Sequence, residues 1–290
     1  MLRLTRIFSC RCLLTLFLGV AGSGLQAVAQ TANAPAATPL VIGETFTLDS
    51  KVLGETRRIN VYLPAGYAES AALRLPVLYM PDGGLNEDFL HVAGLVQVGV
   101  GNETMRPFIL VGIPNTERRR DLTGPTEVAE DRKIAPRVGG SAAFRRFIRT
   151  ELMPAVQTRY RATAETAIVG ESLAGLFAVE TLLLEPDLFT SYVAIDPSLW
   201  WNKQYLATQA PKLLQAHAKQ LTGKSLYLTV SSQGDLPAMR QLVDALNATG
   251  QPAGLRSTYD PLPDETHATI YHPAALRAFR LLFKPAAFRK

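Results

Sequence analysis

Two spacings of apolar residues divide the chain. Glu44–Leu48 and Arg57–Leu63 alternate apolar and polar side chains on either side of Gly54, which predicts an antiparallel strand pair. Beyond them the alternation stops. Short continuous apolar runs take over at Pro76–Met80, Phe108–Ile113, Ala167–Val169, Tyr192–Ile195 and Leu226–Val230, with a last strand-like segment at Leu255–Tyr259. Such runs suit strands buried on both faces, the condition of a parallel sheet. Amphipathic segments lie between them. Phe144, Phe147, Ile148, Leu152 and Val156 recur at helical spacing behind Ser141, which reads as a cap. Pro237–Ala248 and Pro273–Phe283 each open with a proline suited to a first helical turn, and Leu176–Leu184 is a further helical run.

Strands that alternate with helices predict an α/β fold: a mostly parallel central sheet, helices on both faces, and an antiparallel strand pair at the N-terminal end. No repeat or interdomain linker interrupts residues 40–290, which are expected to form a single domain. The stretch Pro114–Gly140 is long, charged and aperiodic, and a loop of that length inside a compact domain is commonly functional.

The first 29 residues read differently. Arg3, Arg6 and Arg11 precede the apolar run Leu13–Val20, which is too short to span a bilayer, and Ala27-Val28-Ala29 is an A-x-A cleavage signal. This is the pattern of a secretory signal peptide and predicts a periplasmic or secreted protein. Residues 30–39 are small, polar and proline-containing, a flexible lead-in.

Composition narrows the function. The chain has 290 residues, 47% of them hydrophobic and 19% charged, enough to bury one large core. Both cysteines, Cys10 and Cys12, fall in the leader, so cysteine-built zinc sites and a disulfide framework are excluded from the body. The net charge of +5 owes three units to leader arginines. The weakly positive remainder argues neither for a nucleic-acid partner nor for a membrane, and neither nucleic-acid binding nor stable membrane insertion is expected.

The chemistry starts at Thr166–Gly175. A buried strand runs into Gly170-Glu171-Ser172-Leu173-Ala174-Gly175 and then into a helix, the strand–G-x-S-x-[small]-G–helix context of a nucleophile elbow. The turn is so tight that the positions two before and two after the serine must be nearly free of side chain, as Gly170 and Ala174 are. Ser172 is the candidate nucleophile. It requires a general base. Of the four histidines, His91 and His217 lie in predicted helices and His272 starts the last one, whereas His267 lies in a turn after the last strand. The α/β-hydrolase order Ser…Asp…His places the base there. Chain order favours Asp235 as the acid, with Asp196 as the alternative. A Ser–His dyad supported by Glu265 is a third arrangement. The Leu173 amide and the amides of Gly83 and Gly84 are the expected oxyanion donors. Trp200 or Trp201 could wall a substrate pocket or pack under a helix. Arg119, in the run Arg118–Arg120, could attract an anionic substrate or be solvated and self-paired.

The strings PVLYMPDGG (76–84), ILVGIPNTERRRDLTGPT (109–126), ELMPAVQTRYR (151–161), AIVGESLAGLF (167–177), VAIDPSLWWN (193–202) and DETHATI (264–270) resemble the esterase D-like α/β hydrolases, which include periplasmic siderophore esterases. The resemblance runs from about residue 40 to the C-terminus. It implies an α/β-hydrolase fold, no metal or cofactor, and serine-dependent hydrolysis of a small-molecule ester, in some members the trilactone of enterobactin-type siderophores. It also implies Ser172 as nucleophile, His267 as base, and a pocket bordered by Arg119, Asp121, Ser198, Leu199 and Trp200. The chain departs from the siderophore group at Glu171, where that group has His or Asn, at Asp196, where it usually has Ser, and at Ala174 in place of Gly. The function expected is a secreted or periplasmic serine esterase acting through an acyl-enzyme. The alternatives are an acyltransferase on the same fold and a non-catalytic binding homologue.

Overall fold

The computed structural model describes residues 37–285. The leader expected at 1–29, and most of the lead-in, lie outside the described residues. One compact unit begins at Ile42.

Among the described residues eight strands form one sheet: β1 (Glu44–Ser50), β2 (Glu55–Tyr62), β3 (Leu75–Pro81), β4 (Ile109–Ile113), β5 (Ala162–Glu171), β6 (Ser191–Ile195), β7 (Ser225–Thr229) and β8 (Arg256–Tyr259). Their order across the sheet is β1-β2-β4-β3-β5-β6-β7-β8. β1 and β2 form the predicted antiparallel hairpin, Gly54 supplying the left-handed turn at φ 69°. β2 also runs antiparallel to β4, and all later pairings are parallel. This is the α/β-hydrolase arrangement predicted from the sequence.

Among the described residues ten α-helices lie between and after the strands: α1 (Phe89–Gly101), α2 (Arg118–Leu122), α3 (Ala129–Lys133), α4 (Ser141–Phe147), α5 (Met153–Arg159), α6 (Leu173–Leu184), α7 (Trp201–Ala216), α8 (Ala218–Leu221), α9 (Leu236–Ala245) and α10 (Tyr271–Leu282). Alternate strand residues serve the two faces. Val77, Tyr79 and Ile168 point to a core with α4, α6, α7 and α9, whereas Leu78, Met80, Ala167 and Val169 pack on α1 and α10. Helix α6 is apolar nearly all round because it is the central buried helix.

Two local expectations change. Ser141 does not cap: it is the first residue of α4, Gly140 takes the cap position, and the buried Ser141 hydroxyl has no hydrogen-bond partner among the described residues. The segment 114–140 carries two short helices rather than an open loop. Its anchor is Arg57 of β2, fully buried and bonded to Asp121 Oδ2 at 2.6 Å, Thr116 Oγ1 at 3.0 Å and the Pro114 carbonyl at 2.9 Å. The Arg57 guanidinium also lies over the rings of Phe144 and Phe147.

Candidate active site

β4 and β5 leave β3 in opposite directions across the sheet, so a crevice opens at the carboxyl ends of the strands, where such sheets bind ligands. Three non-glycine residues adopt left-handed backbone there: Asp82 after β3 (φ 56°), Ser172 after β5 (φ 60°) and Asp196 after β6 (φ 42°). Each such residue costs on the order of 1–3 kcal/mol and persists only where its surroundings fix it.

At the elbow the reason is close packing. A Cβ on Gly170 would come within 2.6 Å of Ala174, and one on Gly175 within 2.8 Å of the Ile195 carbonyl. Ala174 is tolerated because its neighbour across the turn is a bare glycine. The Ser172 amide donates to the Ile195 carbonyl at 3.0 Å, tying the turn to β6. Ser172 Oγ then projects into a cavity of about 340 Å³ lined by residues including Arg118, Arg119, Leu173, Ser198, Trp200 and His267.

His267 Nε2 lies 3.1 Å from Ser172 Oγ, and its Nδ1 lies 2.7 Å from Asp196 Oδ2. The ring is about half exposed, whereas the Asp196 side chain is 1% exposed. Hydrogen bonds from the Ser231 amide (3.0 Å) and hydroxyl (2.7 Å) replace the water that the Asp196 carboxylate loses. The His267 amide donates to Gln233 Oε1 at 3.1 Å, which holds the turn.

The acid favoured by chain order is displaced. Asp235 accepts the Ala238 amide at 3.1 Å as the N-cap of α9, and Gln204 Nε2 at 2.8 Å. It lines the cavity without reaching the imidazole. Asp196, the alternative, occupies that position, because β6 ends one strand nearer to the elbow. Glu265 does not support the ring with its side chain; its carbonyl accepts Ser232. A Cβ on Gly234 would fall 2.4 Å from Asp196 Oδ1, so this glycine leaves room for the carboxylate.

The glycine pair after β3 also reads differently. The Gly83 amide donates to the Ile113 carbonyl at 3.2 Å, and a Cβ there would lie 2.2 Å from the Ile113 nitrogen. Gly83 is therefore a close-packing glycine against β4, with its amide already used. The Gly84 amide is held by Glu87 Oε2 at 2.7 Å. Leu173, first residue of α6, lines the cavity at a helix N-terminus, where amides lack intrahelical partners.

The tryptophans divide. Trp200 is 47% exposed on the cavity wall, and Trp201 is buried with its indole donating to the Gly124 carbonyl at 2.9 Å. The arginine run divides as well. Arg118 grips Asp82 at 2.7 and 2.8 Å, and Arg120 pairs with Glu55 and Asp121. Arg119 makes no ion pair among the described residues and lines the cavity. The His91 ring of α1 meets the His272 ring at a tilt and the Tyr271 ring edge-on at α10, and His217 bonds Gln220 on a surface helix.

Sequence reasoning gave no role to Glu171. Its Oε1 lies 3.1 Å from His267 Nε2, its side chain is 16% exposed, and burial pushes its carboxyl up to about 7. A carboxylate next to an elbow serine is the signal that could have drawn attention to it.

A family profile described as "Putative esterase" matches residues 50–268. Among curated relatives, ferri-bacillibactin esterase BesA of Bacillus subtilis is 28% identical over 248 residues, covering 77% of this chain and 81% of the relative. Siderophore triacetylfusarinine C esterase of Aspergillus fumigatus is 32% identical over 203 residues, 62% of this chain and 64% of the relative. Among solved structures, an IroE-like serine hydrolase from Shewanella oneidensis superposes with TM-score 0.73 at 28% identity, covering 83% of this chain and 80% of that one. With a profile match over well more than half of its length, the chain belongs to the Esterase family of carboxylic-ester hydrolases.

Proposed function

We propose that this protein is an exported serine esterase that cleaves siderophore-type esters through Ser172, His267 and Asp196. One observation carries the mechanism: the unbroken line of contacts from Ser172 Oγ through His267 to a buried, hydrogen-bonded Asp196. Asp196 fixes the imidazole with the proton on Nδ1, leaving the Nε2 lone pair for Ser172. As Oγ bonds to the ester carbonyl carbon, its proton passes to Nε2 and the carbonyl π pair moves to oxygen. The Leu173 amide, at the N-terminus of α6, is the donor we assign to that oxyanion. Collapse breaks the C–O bond to the alcohol, which takes the proton from Nε2 and leaves an acyl-enzyme. Water repeats the sequence and releases the acid.

The substrate class rests on the relatives' names and on the cavity. Trp200 offers an aromatic face, and Arg119 a cation without an ion-pair partner among the described residues, features that suit an aromatic or anionic ester. Export rests on the Arg-rich, apolar and A-x-A pattern of residues 1–29. Among the described residues no helix is long and apolar enough to cross a membrane.

A fluorophosphonate probe tests the reading directly. It should label the wild-type protein at Ser172 and leave Ser172→Ala unlabelled and inactive on an ester panel that includes catecholate and hydroxamate siderophores. Labelling at another residue, or Ser172→Ala activity above a few per cent, would refute it.

A further inference from the structure

The imidazole of His267 stands between two carboxylates. Asp196 faces Nδ1 at 2.7 Å, and on the opposite side Glu171 Oε1 approaches Nε2 at 3.1 Å, the same distance as Ser172 Oγ. The two contacts differ in kind. Asp196 is hydrogen-bonded to the ring and to Ser231, whereas Glu171 Oε1 is buried without a hydrogen-bond partner among the described residues. The catalytic scheme above uses Asp196 and leaves Glu171 idle.

In the resting state Nε2 is an acceptor, so an ionised Glu171 facing it gains nothing. Once Nε2 has taken the serine proton, the same carboxylate faces a positive N–H. Its attraction exists only after the proton has moved, which makes it a contribution to the transition state and not to the ground state. A protonated Glu171 acts in the opposite direction, since its O–H competes with the Ser172 hydroxyl for the single lone pair on Nε2. We propose that Glu171 is a second positioning residue of His267, one that promotes acyl transfer when ionised and opposes it when protonated. This rests on the reading of Ser172 and His267 as nucleophile and base.

The surroundings keep the two states close in energy. Burial is the largest influence and pushes the carboxyl up, to about 7. His267 and Arg118 pull it down, and Asp196 and Asp82 push it up again. Arg118, from α2, is already committed to Asp82 at the end of β3, so it does not neutralise Glu171 outright. Asp88, Glu87 and the buried Tyr271 are further ionisable groups on that side. Because the Glu171 carboxyl and Nε2 face each other, a proton on either one occupies the lone pair that Ser172 needs, so the acidic limb of activity is steeper than a single ionisation.

The test is the pH dependence of kcat/KM for a neutral ester, p-nitrophenyl acetate, together with the rate of fluorophosphonate labelling. The wild type should lose activity below neutrality with a limb steeper than one proton. Glu171→Gln should show a one-proton limb displaced to lower pH by about one pH unit or more, because the imidazolium has lost its carboxylate. Its high-pH plateau in kcat should fall about tenfold, with KM little changed. Limbs of equal slope and midpoint in the two proteins, with label on Ser172 in both, would overturn the role of Glu171 and leave the serine-esterase reading standing. Label elsewhere than Ser172 would remove that reading first. Should Glu171→Gln fail to fold by circular dichroism, Glu171→Asp carries the test. It keeps the charge but withdraws it by one methylene, so its limb must move to lower pH, and an unmoved limb refutes the proposal.

Discussion

Keeping Glu171 in the site costs the fold stability, and the cost has a predictable sign. In the unfolded chain a glutamate titrates near 4.5, whereas burial raises the folded Glu171 to about 7. Between those values the folded state binds the extra proton, so stability falls as pH rises through that window and levels off above it. Each pH unit of difference corresponds to about 1.4 kcal/mol, so at pH 8.5 the ionised carboxylate destabilises the protein by up to about 3 kcal/mol. Residual solvent access, at 16% exposure of the side chain, trims that value. Glutamine removes the charge and gives up no hydrogen bond at Oε1, which has no partner among the described residues. For a domain of this size a gain of about 1–3 kcal/mol raises Tm by roughly 2–12 °C. Glu171→Gln should therefore melt above the wild type at pH 8.5, and the two should converge near pH 4.5. Differential scanning calorimetry at the two pH values is the measurement. Equal stability at pH 8.5, or the same gain at both pH values, would refute the burial cost assigned to this carboxylate.

Three further outcomes are expected. Asp196→Asn should lower kcat by about 10³–10⁴, because the imidazole loses the carboxylate that selects its tautomer; Asp235→Asn should leave the rate within about tenfold, and steady-state kinetics on the two variants separates the two residues. Arg57→Leu should destabilise the protein by about 3 kcal/mol in urea titrations, because the buried Asp121 keeps only Arg120 and the segment carrying Arg118 and Arg119 loses its tie to β2; an unchanged midpoint would contradict the anchoring role of Arg57. Arg119→Gln should weaken kcat/KM for anionic aryl esters by about tenfold while sparing neutral ones, and equal losses on both would remove Arg119 from substrate recognition.

The sequence determined the architecture and marked the candidate site. Unbroken apolar runs have no polar face to turn to water, so β3 to β7 had to be buried in a parallel sheet, and the alternation of β1 and β2 marked the exposed edge hairpin. Gly170, Ser172 and Ala174 made the elbow legible because sterics there act over five consecutive residues, a local constraint. The partners of the imidazole were not local. Asp196 and Asp235 both follow strands, both precede His267, and chain order favours the one that does not reach the ring. Only the lateral order of β5, β6 and β7, with β6 beside the elbow strand, decides which carboxylate reaches the ring, and Gly234 then clears the space for it. The same holds for Gly83, which reads like an oxyanion loop in sequence but is a glycine because β4 passes too close for a side chain. It holds as well for Arg57 and Glu171, charged residues whose burial only the packed structure reveals. Periodicity reports which side of an element is apolar. Which charges meet at a sheet's end depends on contacts between residues tens of positions apart, and those exist only after the chain has folded.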